Sequence, residues 1–108
     1  MGAAQDPIVE AQADLDALGA DASPEAVSAA LVGLGVALMD GGQAREAVAV
    51  LEQSMSMSMR LSDPEALSDT MGVLGRALTE DRRYAEARDV LTTVVAQRSS
   101  LLGPDDPQ

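Results

Sequence analysis

The 108-residue sequence contains no cysteine, no histidine and no lysine, and Tyr84 is its one aromatic residue. Without cysteine there is no disulfide, no thiolate nucleophile and no thiol redox chemistry. Without histidine the commonest general base and the commonest transition-metal ligand are missing. A core must be assembled from Leu, Val, Met and Ala, and alternating Val/Ile/Thr/aromatic runs that would mark strands are absent. No apolar run approaches the roughly 18 residues that span a bilayer. Residues 1–6 lack the basic start and apolar stretch of a signal peptide, so the chain reads as cytoplasmic.

Positive charge is scarce as well. The formal net charge is −11, which disfavours nucleic acid and anionic membrane surfaces, because both need a basic face. The balance is uneven along the chain. Asp6, Glu10, Asp14, Asp16 and Asp21 meet no basic residue in 1–23, whereas Arg76, Arg82, Arg83, Arg88 and Arg98 nearly balance the acids of 64–103. Most of this charge reads as a solvated surface.

What the sequence does contain is a repeat. Shifted by 40 residues, the chain matches itself without a gap. Pro24-Glu25-Ala26 falls on Pro64-Glu65-Ala66, Leu34-Gly35 on Leu74-Gly75, Ala37-Leu38 on Ala77-Leu78, Glu46-Ala47 on Glu86-Ala87 and Val50-Leu51 on Val90-Leu91. Ser23 and Asp63 are placed to cap a helix that begins on proline and carries an acid in its first turn. Apolar residues at Val27, Leu31, Leu34, Leu38 and at Leu67, Met71, Leu74, Leu78 recur at three- and four-residue spacing, so each set lies on one helical face. Each unit therefore predicts two helices. The first ends near Met39 or Thr79; the second runs from about Gln43 to Leu61 or from about Arg83 to Leu101. Gly41-Gly42 separates the first pair, while Asp81-Arg82 lacks glycine and predicts a less emphatic turn. Gly35 and Gly75 lie inside helices, where glycine costs about 1 kcal/mol relative to alanine. Close approach of the second helix is the compensating reason, with Ala47 and Ala87 as the expected small partners.

Leu34-Gly35, Ala47, Leu51 and Leu74-Gly75, Ala87, Leu91 resemble the tetratricopeptide pattern. The large aromatics usual in that family are replaced by aliphatic residues, although Tyr84 matches the usual aromatic before a second helix. The long period is similar to extended, kinesin-light-chain-like repeats common in bacterial multidomain proteins. Leu102-Gly103-Pro104-Asp105-Asp106-Pro107 and Leu18-Gly19-Ala20-Asp21 are similar to their linker. The resemblance implies an all-α fold of antiparallel helix-turn-helix repeats, a fragment of a right-handed α-solenoid. Residues 1–6 are expected to be disordered and 7–101 to form one domain. Within it, 7–21 form a degenerate half repeat, 22–61 repeat one and 62–101 repeat two, with 102–108 a linker or tail.

No catalytic, cofactor-binding or metal-binding constellation is found. Gly33-x-Gly35 and Gly41-Gly42 are not followed by a Gly-Lys-Ser/Thr phosphate motif. Asp14, Asp16 and Asp21 lack calcium-loop spacing, and no serine has a histidine or lysine to activate it. The chain reads as a non-enzyme without a cofactor. Met55 and Met59 share a helical face, which fits either repeat-to-repeat packing or an adaptable binding surface.

What the resemblance implies for function is a protein-interaction module binding a peptide or partner helix in a concave groove lined by first helices. Its groove positions fall on Val32, Val36 and Met39, then on Gly72, Arg76 and Thr79. Valines make the first half apolar, and Arg76 alone offers a contact for an acidic group. Residues 7–18 of the chain itself are the alternative occupant of that surface. The other readings are a self-associating scaffold and a regulatory fragment of a larger bacterial transcription regulator or signalling enzyme. Because the last helix carries Val90, Leu91, Val94 and Val95 with no further helix after it, a homodimer through that helix is expected, unless the chain is a piece of a longer array.

Overall fold

A computed structural model describes residues 6–102, and every one of the elements among them is helical. They are α1 (Pro7–Ala17), α2 (Pro24–Asp40), α3 (Ala44–Leu61), α4 (Pro64–Glu80) and α5 (Tyr84–Leu102). The all-α expectation and the order of the helices hold. The expected disordered start lies outside the described residues except for Asp6, which is the cap of α1. The tail likewise lies outside them apart from Leu102, which ends α5.

Three helices begin in the same way. The Asp6, Ser23 and Asp63 side chains accept hydrogen bonds from the backbone N–H groups of Ile8, Ala26 and Ala66 at 2.9, 3.1 and 3.1 Å. Proline follows each cap, where its missing N–H costs no intrahelical bond. Such a cap contributes about 1 kcal/mol. Helix α3 has no side-chain cap bond; it starts instead from a tight turn. In that turn Gly41, Gly42 and Gln43 donate to the carbonyls of Ala37, Met39 and Leu38. Gly42 has φ +82°, the left-handed region that glycine enters freely.

The turn between α4 and α5 is not weaker, contrary to the expectation from its lack of glycine. Asp81, Arg82 and Arg83 repeat the same three bonds to Ala77, Thr79 and Leu78. Arg82 takes φ 63° in place of Gly42. Packing of the two flanking helices imposes the turn, and the arginine backbone accepts the strain.

Successive helices pack side by side, with α3 held between α2 and α4, and α2 also touching α4. The result is elongated, 60 × 35 × 20 Å. One aliphatic core runs through it, from Leu34, Leu38 and Met39 through Ala47, Val48 and Leu51 to Leu74, Ala77, Leu78 and Ala87. Ile8, Ala11 and Leu15 of α1 pack on its edge.

The helical glycines do mark close approach, but not to the alanines. A Cβ on Gly35 would lie 2.6 Å from Leu51 Cγ, and one on Gly75 would lie 2.5 Å from Leu91 Cδ2. The leucine later in the pattern is thus the group that fills the missing side chain. Ala47 and Ala87 are buried in the core beside it.

Candidate interaction surface

The Ser-Met alternation in α3 resolves by burial. Ser54 and Ser58, four residues apart, are buried, while Met59 is exposed and Met55 and Met57 are half-buried. The two hydroxyls face the neighbouring helices, and of the methionines Met55 packs on the core edge. Ser54 Oγ donates to the Ser28 carbonyl at 3.1 Å and lies 2.8 Å from Ser28 Oγ. Ser58 Oγ is 3.4 Å from Ser28 Oγ, and Thr70 Oγ1 is 3.5 Å from Ser54 Oγ. The protons close: Ser54 gives its own to the carbonyl, Ser28 gives to Ser54, and Ser58 and Thr70 give to those two. A buried hydroxyl left without a partner costs about 1–3 kcal/mol, so this cluster fixes how α2, α3 and α4 meet. Its residues are used up in packing and are not available to a ligand.

The six groove positions read from the sequence do not all reach the surface. Met39 is 3% exposed and belongs to the core, which corrects its place in a groove: packing takes its side chain inward. Val32 and Gly72 are half-buried, and Val32 packs on the core edge. Arg76 is exposed and sits 4.0 Å from Glu80 one turn on. Thr79 is exposed as well, and its hydroxyl donates to the Gly75 carbonyl at 2.9 Å.

Val36 lies at a cleft of about 450 Å³ between α1 and α2. Ala29, Ala30, Gly33 and Ala37 form one wall with it, and Pro7 and Ala11 the other. Glu10, Asp14 and Asp40 stand at the rim, all exposed. Helix α1 therefore flanks this surface without closing it. The first half is not purely apolar, because three carboxylates border the small apolar floor. Sequence reading missed them, since two belong to α1 and become neighbours of Val36 only through α1–α2 packing.

The last helix divides in two. Val94 is only 7% exposed and Val90 is half-buried, so Val94, expected on the open side of the last helix, is packed inward instead. Leu91 and Val95 are exposed. Arg98 reaches back to α4, donating from Nε to Ser68 Oγ at 3.0 Å and from Nη2 to Asp69 at 3.1 Å. At the start of α5, Arg83 forms a two-point ion pair with Glu86 at 2.7 and 2.9 Å. This bond raises the Arg83 pKa and lowers that of Glu86.

Two helix pairs, one repeat apart, are thus each closed by a leucine against a helical glycine. A family profile described as Tetratricopeptide repeat matches residues 26–100. The chain belongs to the tetratricopeptide repeat family. The match covers all of α3 and α4 and nearly all of α2 and α5, so both pairs are repeats of that family. Repeats of this type generally mediate protein–protein interaction. No curated protein and no solved structure matches the chain. Among the described residues no helix is long and apolar enough to cross a membrane, and no group of acidic side chains is arranged to hold a metal ion.

Proposed function

We propose that this tetratricopeptide repeat protein is a non-catalytic interaction module that takes a partner's peptide or helix along the α1–α2–α4 face. The observation that carries this reading is the open cleft at Val36, walled on α2 by Ala29 and Gly33 and bordered by Glu10, Asp14 and Asp40. Small residues on a helix let another backbone come close, and the carboxylates favour a basic group on what binds. In this reading Gly72, Arg76 and Thr79 of α4, at four- and three-residue spacing, extend the contact; Arg76 and Thr79 are exposed and Gly72 is half-buried. Arg76 there is free to meet an acidic group, since its contact with Glu80 is exposed and long. The partner is thus an amphipathic segment with a basic residue beside its apolar face and an acid further along. Helix-in-groove recognition has this form.

The experiment is a panel of amphipathic helical peptides titrated by fluorescence anisotropy against the wild-type chain, Val36→Arg and Arg76→Ala. Peptides with Lys or Arg beside the apolar stripe are expected to bind, and Val36→Arg, which blocks the apolar cleft and repels a basic group, is expected to weaken them about tenfold or more. Both variants should melt near wild type, because neither position is in the core. Binding that ignores both substitutions would remove this face from the proposal.

A further inference from the structure

Helices α3 and α5 are the same element in successive repeats, but only α3 has a neighbour on both sides. On α3 the stripe Val48, Leu51, Met55, Ser58 is buried or half-buried. The same stripe on α5 reads Arg88, Leu91, Val95, Arg98, and all four are exposed. Leu51 is 0% exposed and Leu91 40%. Two positions that are fully covered and uncharged in α3 are arginines in α5. A cover that presents acids at the two ends of an apolar pair fits this face, with Arg88 the end left without an acid and Arg98 sharing an exposed contact with Asp69 of its own chain.

The opposite end of the molecule carries that pattern. Helix α1 packs inward through Ile8, Ala11 and Leu15. Its outer side reads Val9, Ala13 and Asp16, preceded by the cap Asp6, one of whose carboxylate oxygens accepts from Ile8 N–H; all four are exposed. The spacing is three, four, three, as it is for Arg88, Leu91, Val95, Arg98. Among the described residues the exposed large apolar side chains are Val9, Met59, Tyr84, Leu91 and Val95. All but Met59 fall on these two stripes or, for Tyr84, one turn before the second. Arg88 makes no ion pair among the described residues.

We infer that a second copy of this chain docks its α1 stripe on the α5 stripe, so that copies associate head to tail. Asp6 and Asp16 meet Arg88 and Arg98, and Val9 and Ala13 cover Leu91 and Val95. The spacing is symmetric, so an aspartate stands opposite an arginine whichever way the helices run. A two-fold pairing of α5 with α5 does the reverse. Run antiparallel about its centre, it sets Arg88 against Arg98; run parallel, it sets each arginine against its copy. Like charges directly apposed oppose that dimer. The heterologous contact leaves one free α1 and one free α5 at the ends, so it closes into a ring or extends as a filament. It uses neither Val36 nor Arg76 and does not depend on the α1–α2–α4 reading.

Sedimentation velocity of the full chain tests it, over a wide concentration range and at low and high salt. Species beyond a dimer are expected, growing with concentration and shrinking in ~1 M salt, where charge attraction is screened within about 3 Å. Asp16→Arg, at an exposed site, is expected to weaken association at least about fivefold. Arg88→Glu added to Asp16→Arg restores it if the helices run antiparallel, and Arg98→Glu does so if they run parallel. Circular dichroism of each variant separates lost docking from lost folding. A monomer at every concentration would overturn the inference, as would failure of both arginine reversals to rescue. So would a species that stops at a dimer and ignores Asp16→Arg.

Discussion

Gly35 and Gly75 hold the same place in their repeats and differ in what their leucines can do. A Cβ at either site would overlap the facing leucine, at 2.6 Å for Leu51 and 2.5 Å for Leu91. Leu51, on a helix held between α2 and α4, is enclosed and has nowhere to move, whereas Leu91 has solvent on one side. Alanine in place of a helical glycine is otherwise favourable by about 1 kcal/mol. Gly35→Ala is therefore expected to be destabilising on balance, by about 1–2 kcal/mol from overpacking. Gly75→Ala should come out near neutral in the same urea titration. Equal losses at both sites would mean that Leu91 is as confined as Leu51. The glycines were legible in the sequence as close contacts. Their partners were not, because a Leu-Gly…Ala…Leu pattern does not say which later residue fills the gap.

At the scale of elements, the two helix-to-helix turns show tertiary packing overriding local preference. Gly42 suits its positive φ; Arg82 pays for the same geometry with a side chain that crowds the backbone. Arg82→Gly is expected to stabilise the chain by about 0.5–1 kcal/mol, the relief of strain exceeding the extra entropy of the unfolded glycine. Thermal unfolding checks this, and a lower melting temperature would show that the Arg82 side chain contributes more than its backbone costs. Ser62, at φ 53° after α3, is a second left-handed residue at a helix end. The hydroxyl cluster belongs to this scale too. Ser28, Ser54, Ser58 and Thr70 come from three helices, and nothing in the sequence near any one of them marks the others as partners.

Across the whole molecule, protection should follow the number of neighbours rather than helix length. Helix α3 is packed on both sides, while α1 has no fully buried residue. Local opening free energy tracks buried contact. Amide hydrogen exchange is therefore expected to be slowest in α3 and the facing turns of α2 and α4. It should be intermediate in α5 and fastest in α1. If α1 exchanged as slowly as α3, its edge packing through Ile8 and Leu15 would have to be part of the cooperative core.

Sequence alone determined the helices and their order. Caps, prolines and three- and four-residue apolar spacing act within a few residues of one another, and a 40-residue self-match repeats them. It also determined the family, because Leu34-Gly35, Ala47 and Leu51 recur at Leu74-Gly75, Ala87 and Leu91. Only the tertiary structure decided which side of each helix is free. Met39 and Val94 are apolar residues in stripes that look open in one dimension, and packing against neighbouring helices turned both inward. Leu51 and Leu91 are the same residue in the same register, one sealed and one half open. Burial depends on the number of helices beside a residue, and no local pattern encodes that number.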